Sequence, residues 1–446
     1  MLRSIRHEFL GNQLIAISLG ALGLILGLAL SSTYTEADAL QADAARYWRV
    51  AQDLSAGAPL LAVSSSPRGV DVGYPAILAS ALMLFGNTVR VGQIANVVMF
   101  GITSLFYFLA IQKLAGQLGS PLRSRRQFLL PGMFFLSPLF LTFSGKLFSE
   151  ITAALGVALL VCSIIYLWST DESQTALLSR PYWSASMIIG CSLFVVTKSA
   201  FFPLLILYAV LFMILKKRSL ARLTLISMVI CLPFYVSAQR GGRGSYNFAI
   251  QIAKLQWSYP EIAASAVYYY SDTLGKTVLP SYADLLQQNP GPDTVVDRRN
   301  AYVLAVGLRD QGFSYVEGFE SIAKDPLRYL AVALGTLPAM IAVEGVYPAI
   351  GNLVPYPVRL ALWIVLKQAL SLALWSGLLL LVRRQRRNPL VIVLVLPIIY
   401  FVVVYGNFSL EQRWFFPLLP LLWLLGSTYF SMVLEGTKSE GRRAAL

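Results

Sequence analysis

The chain has 446 residues, of which 57% are hydrophobic and only 13% charged, too few to cover a water-soluble domain, whose composition runs to roughly 25% charged. With a mean hydropathy of +0.64 it reads as a bilayer protein. Its lone histidine, His7, lies in the basic lead and its three cysteines (Cys162, Cys191, Cys231) lie inside apolar runs, which excludes Ser-His-Asp or Cys-His catalysis, His-ligated zinc and a disulfide framework.

A spanning helix needs about 20 mostly apolar residues, and about ten such runs follow one another. The net charge of +14 follows topology rather than nucleic acid, because Lys and Arg cluster in short loops between the apolar runs, as cytoplasmic loops do. The first run, Leu14 to Leu30, is too long for a signal-peptide core and reads as a retained anchor, with Arg3 and Arg6 inside. A helix over 11–31 leads out into a polar-to-amphipathic excursion, 32–90. The helix over 91–112 returns to Lys113, Arg123, Arg125 and Arg126. Two tight hairpins follow, 127–144 with 149–168 around Lys146 and Glu150, then 183–197 with 199–215 around Lys198. The second lands on Lys216, Lys217, Arg218 and Arg222, and 222–238 leads out again into a second excursion, 238–326.

Parity decides the next segment. If 327–350 spanned, Arg383, Arg384, Arg386 and Arg387 would follow 358–382 on the wrong side, so 327–350 is expected to lie at the outer interface or re-enter. Asp325 as N-cap and Pro326 at the first helical position start it. Helices over 389–405 and 414–431 then leave Lys438, Arg442 and Arg443 inside. The expected architecture is therefore an all-α polytopic membrane protein of about ten transmembrane helices. It divides into an N-terminal module (1–237, including the loop 32–90), a long extracytoplasmic loop (238–326) and a C-terminal block (327–446). No inverted repeat of broken helices is visible, which weighs against a transporter.

The chemistry is expected in the excursions. From Glu36 to Gly57 a helical projection puts Leu40, Ala44, Tyr47, Trp48, Ala51 and Leu54 on one face, with Arg49, Gln52 and Asp53 opposite. Such a helix is expected to lie on the membrane with its aromatics at headgroup level. Asp43 stands at the edge of the apolar stripe, one turn before Tyr47. Two readings stand for it: a general base facing a lipid-borne substrate, or an aspartate that complements a helix N-terminus. The segment from Asp71 through Tyr74 and Pro75 to Gly86 reads as a 12- to 14-residue apolar helix, too short to span and ended by glycine, beside the first.

These segments carry a resemblance. An acidic residue with Asp43-Ala-x-x-Tyr47-x-x-x-Ala51-x-x-Leu54-x-x-Gly57 after the first anchor, then Gly73-Tyr74-Pro75 and a helix closing on Leu84-Phe85-Gly86, resembles the first extracytoplasmic loop of GT-C glycosyltransferases. Those are integral membrane enzymes that take a sugar from a polyprenyl or dolichyl phosphate. Phe143-Ser-Gly-Lys146-Leu-Phe-Ser149-Glu150 resembles the family's outer hairpin with its Ser-Glu, and Thr197-Lys198-Ser-Ala-Phe-Phe-Pro203 the hairpin that usually holds Lys or Arg. Ser409-Leu-Glu411-Gln-Arg413-Trp-Phe-Phe-Pro417-Leu-Leu-Pro420 is similar to the last-helix pattern of related mannosyltransferases, with Ser409 and Leu410 where they carry His-Lys.

The resemblance implies that Asp43 is the catalytic base, with Glu36 and Asp38 competing for the role, and that Asp71 stands where a second acidic residue helps to position acceptor or metal. Glu150 is a further acidic candidate that has a helix-dipole reading as well. A free aspartate titrates near 3.9 and so is ionised at neutral pH. Charge on the departing lipid phosphate calls for fixed cations on the same side. The candidates are Lys146, Lys198, Arg240, Arg243 and Arg413, against snorkelling hairpin-tip lysines, a mobile Arg240–Arg243 linker and an Arg413 paired only with Glu411. Tyr47, Tyr74 and Tyr268, the last in an aromatic and acidic second excursion, are candidates for stacking on a sugar or for anchoring at headgroups. Lys367, mid-run, has no assignment.

The resulting expectation is an inverting membrane glycosyltransferase of the plasma membrane, acting at the extracytoplasmic face. It would move a sugar from a polyprenyl-monophosphate donor to a glycan, lipid or protein hydroxyl. No cofactor and no nucleic-acid partner are expected, and a divalent metal is left open but not indicated. A lipid or glycan flippase or transporter, and a ligase or polymerase using a diphosphate-linked donor, are the alternatives.

Overall fold

The computed structural model describes residues 18, 20–29, 31–40, 43–65, 71–118, 145–168, 181–240, 252, 255, 315–340, 369–405 and 415–444. Among these residues the fold is all-helical, without a strand. The main helices are α1 (Asp43–Ser55), α2 (Gly73–Phe85), α3 (Val89–Gln117), α4 (Glu150–Trp168), α5 (Pro181–Thr197), α6 (Phe202–Ile214), α7 (Arg218–Arg240), α8 (Tyr315–Lys324), α9 (Pro326–Met340), α10 (Ser371–Arg384), α11 (Pro389–Tyr400) and α12 (Leu419–Ala444).

Among the described residues, three segments are long and apolar enough to cross a membrane: Val89–Ile111 in α3, Glu150–Trp168 and Arg218–Gln239 in α7. Shorter apolar helices accompany them over Gly20–Thr33, Gly73–Phe85, Pro181–Thr197, Ser199–Ile214, Pro389–Val403 and Phe416–Phe430. These helices suit a bilayer. The expected helix over 127–144 lies outside the described residues, as do residues 358–368 of the helix expected over 358–382.

α4 is the axis of the bundle. Its 19 residues, at about 1.5 Å each, span nearly the hydrocarbon thickness of about 30 Å. Every side chain in it except Tyr166 and Trp168 is buried, as befits a helix that is apolar all round. α5 packs on it through glycines. A Cβ on Gly156 would stand 2.7 Å from the Phe194 nitrogen, and one on Gly190 2.6 Å from the Leu160 nitrogen, so the two backbones touch where a side chain would hold them apart. Gly190→Ala is therefore expected to destabilise by about 1–3 kcal/mol through overpacking, despite alanine's better helix propensity. Gly116→Ala in α3, with nothing within 4 Å of the new methyl, is expected to hold or raise the thermal midpoint of the detergent-solubilised protein. Equal midpoints for the two variants would refute the close-packing account.

The first helix meets α3 where Leu24 covers Gly101. The C-terminal helices join the bundle through aromatic hydroxyls: Tyr208 donates to the Val393 carbonyl at 3.2 Å and Tyr400 to that of Ala200 at 2.7 Å. α11 is capped by Asn388, whose side chain accepts from the Leu390 nitrogen at 3.1 Å, and continues as a π-helical turn, Phe401–Tyr405. The start expected for the interfacial segment is present: Asp325 accepts from the Arg328 nitrogen at 3.0 Å, and α9 begins at Pro326.

The two ends of α4 differ in charge. At the Trp168 end, Lys217 donates to the Trp168 carbonyl at 3.0 Å, Lys113 lies 5.8 Å from the centre of the Tyr166 ring, and Tyr166 stacks on Trp183 at 4.0 Å. These basic residues are among those that the charge pattern assigns to one side, Lys113 lying within the last turns of α3. The acidic candidates gather at the other end.

Candidate functional site

Four segments far apart in sequence meet at the Glu150 end. α1 and α2 lie side by side there, with Tyr47 edge-on to Tyr74 at 5.5 Å between ring centres. α1 buries Ala44, Tyr47, Trp48 and Ala51, the face that helical periodicity predicts. What covers it is protein: Tyr47 and Trp48 are packed into the core, so this face does not rest on lipid. Periodicity shows that a face is apolar but does not say whether protein or lipid covers it. The cover is largely α2, which buries Tyr74, Leu78, Ala79 and Leu82 and leaves Met83, Leu84 and Phe85 exposed at its far end. It ends at Gly86, whose φ of 102° suits glycine.

The hairpin turn before α4 supplies the next layer. Ser149 donates to the Tyr47 hydroxyl at 3.1 Å, and the Leu147 nitrogen donates to the Ala39 carbonyl at 3.3 Å. From α3, Asn96 donates to the Lys146 carbonyl at 2.6 Å and Gln93 to that of Gly145 at 3.1 Å. Arg90 reaches Ser31 at 3.1 Å and Gln93 at 3.2 Å. The half-buried Lys146 places its ammonium 6.0 Å from the centre of the Tyr34 ring.

The second hairpin closes the cluster. Lys198, just past α5, forms an ion pair with Glu150 at 3.2 Å, with the two side chains 2% and 1% exposed. Lys198 is thus an interior side chain, not one projecting from a hairpin tip. Its successor Ser199 donates its backbone N–H to Asp71 at 3.3 Å, and Gly73 abuts Thr197 so closely that a Cβ would stand 2.7 Å from the Thr197 nitrogen. Burial raises the Tyr74 phenol well above its ordinary value. The Asn96 amide beside it lowers it somewhat, while Tyr47 and Glu150 add to the rise. That hydroxyl therefore keeps its proton at any physiological pH.

Asp43 opens α1 and pairs with Arg46 at 3.5 Å, the Asp43 side chain being 29% exposed and Arg46 54%. Its carboxylate is partly exposed, as is that of Asp71. Asp43 stands one turn before Tyr47 on the same helix, while Glu150 and Lys198 are sealed beneath.

The structure thus brings together Asp43, Tyr47, Asp71, Tyr74, Lys146, Glu150 and Lys198. Asp38 lies in the short helical turn Glu36–Ala39 and Arg240 ends α7, their side chains being outside the described residues. Arg243, Tyr268 and Arg413 lie wholly outside them. Arg90, Gln93 and Asn96 were missed by sequence reasoning. Their signal was there: polar residues at i, i+3 and i+6 on one face of a spanning run mark a functional face by default. Among the described residues, no three His, Cys, Asp or Glu side chains gather in a way that could hold a metal ion.

No protein-family model matches the chain, and no curated protein matches its sequence.

Proposed function

We propose that the protein is a polytopic membrane glycosyltransferase of GT-C type, with about ten spans, whose active site is the Glu150-end cluster at the extracytoplasmic face of the plasma membrane. One observation carries this reading. The segments holding Asp43, Asp71, Lys146–Glu150 and Lys198, unrelated in sequence position, are tied into one hydrogen-bonded network at a single helix end. The sidedness supports it too, since the basic side chains Lys113 and Lys217 lie at the opposite end of the same helices.

In the proposed reaction an acceptor hydroxyl attacks the anomeric carbon of a polyprenyl-phosphate sugar. The new C–O bond forms as the bond from that carbon to the phosphate oxygen breaks, with inversion. Asp43 takes the hydroxyl proton and the lipid phosphate departs with the bonding electron pair. Lys146 would meet it, with Arg240, Arg243 and Arg413 as the further candidates. Tyr47 and Tyr74 form the apolar wall behind the base, and the acceptor is a lipid, glycan or protein hydroxyl. In the three long apolar segments the charged side chains Arg90, Glu150, Arg218 and Arg222 lie in the first turns rather than at mid-length, where a transporter would hold its coupling site.

The test is turnover by the purified protein in liposomes supplied with two labelled donors, a polyprenyl-monophosphate sugar and its diphosphate counterpart, with mixed glycan and lipid acceptors. Label transfer with release of free polyprenyl monophosphate is the expected result. Transfer from the diphosphate donor alone would assign the protein to the ligase or polymerase type, and movement of intact donor across the bilayer without transfer would make it a flippase.

A further inference from the structure

The Glu150–Lys198 pair occupies a special place in this network. Glu150 begins α4 and Lys198 follows the last residue of α5, so each charge complements the dipole of the helix end that bears it. Each is also next in sequence to an anchor of the first excursion. Ser149 holds Tyr47 of α1, and Ser199 holds Asp71 just ahead of α2. The third tie, from Leu147 to Ala39, lies three residues from Glu150. The main contacts of the excursion with the hairpins thus converge within a few residues of one ion pair.

Stability does not explain a pair so placed. Two charges at 2% and 1% exposure lose most of their hydration, and an apolar pair of similar volume usually serves a fold as well or better. The pairing is also incomplete, because the second Glu150 oxygen is buried without a hydrogen-bond partner. What a charged pair supplies and an apolar one does not is a fixed register between the groups that carry it.

We propose that Glu150 and Lys198 are positioning residues: their ion pair locks the α4 and α5 ends in register and thereby holds α1, with Asp43 at its start, over the cluster. The consequence for catalysis rests on the transferase reading, whereas the consequence for geometry does not.

The test separates the two. The native cysteines Cys162, Cys191 and Cys231 are buried, so a single introduced cysteine can be followed with a polar maleimide. The reporter at the site is Asp43→Cys. The control is Ser184→Cys, 7% exposed and near the opposite end of α5. Each is placed in the otherwise native full-length protein and in Glu150→Leu/Lys198→Met, which leaves no orphaned charge. The double change is expected to speed labelling at position 43 at least fivefold and leave that at 184 unchanged. With Asp43 intact it is expected to lower kcat for the lipid donor at least tenfold with KM nearly constant. Unchanged labelling at 43, or equal acceleration at 184, overturns the proposal.

Should the double variant fail to insert, Tyr47→Phe, which removes only the hydroxyl held by Ser149, must speed labelling at 43 two- to threefold, and no change there overturns it equally. If position 43 responds while the native protein transfers no sugar, the positioning role stands and the transferase reading falls. If transfer proceeds and position 43 does not respond, the reverse holds.

Discussion

Asp43→Ala and Asp43→Asn are both expected to lower turnover of a polyprenyl-monophosphate sugar by about 100- to 10,000-fold, the usual contribution of a positioned general base, while leaving insertion and thermal midpoint unchanged. The argument for so clean a separation is structural. The Asp43 side chain is 29% exposed and its partner Arg46 54%, and an ion pair so open contributes at most about 1 kcal/mol. Its removal leaves no cavity and no buried charge. The asparagine keeps an oxygen to accept at the α1 N-terminus, so any helix-capping role survives in that variant and only proton abstraction is lost. Wild-type turnover in Asp43→Asn, measured as release of free lipid phosphate, would remove Asp43 from the mechanism and leave it as the helix-terminal aspartate that its place in α1 also permits. A loss shared by Asp71→Asn would have a different origin, because Asp71 is tied to the Ser199 backbone; it should appear with faster labelling near the excursion, which Asp43→Asn should not show.

The elements that could be read from the sequence are those whose signal is local. The apolar runs that became α3, α4, α5 and α7 announce themselves by length, α2 by its closing Gly86, and α9 by Asp325 and Pro326. The buried face of α1 follows from its 3.6-residue period down to Ala44, Tyr47, Trp48 and Ala51. What covers that face did not follow, since it depends on where α2 folds back.

Breaks in helical regularity were equally illegible. The 3-10 turn Ser199–Phe201 and the π-helical turn Phe401–Tyr405 meet where Phe201 packs against Tyr400 and Phe401, far apart in the chain. In the site, the residue types at Asp43, Lys146, Glu150 and Lys198 pointed to one leaflet, but their pairing did not. Glu150 and Lys198 lie 48 positions apart, and only the close approach of α4 and α5 at Gly156 and Gly190 makes them partners. Lys198 could therefore be read as a cation open to phosphate, whereas in the fold it is already matched.

That match predicts an asymmetry larger than any other stability effect here. Lys198→Met alone is expected to destabilise the protein by about 3–5 kcal/mol, because it strands the Glu150 carboxylate in an apolar interior. The carboxylate is 1% exposed and one of its oxygens already lacks a partner, so the substitution would leave neither oxygen satisfied by the lysine. Glu150→Leu alone should also destabilise, because the buried ammonium loses the carboxylate 3.2 Å away. Glu150→Leu/Lys198→Met should lie within about 1–2 kcal/mol of the native protein, since the desolvation of both charges is then no longer required. The coupling between the two sites, obtained from the four midpoints of a double-mutant cycle in detergent, is therefore expected to be strong and compensatory. Additive losses would mean that the two side chains act independently, and the Glu150–Lys198 contact could not then hold the first excursion in place. The stable double variant is the informative one for function, because it retains the fold while removing the register that places Asp43, so stability and turnover should part company in a single protein.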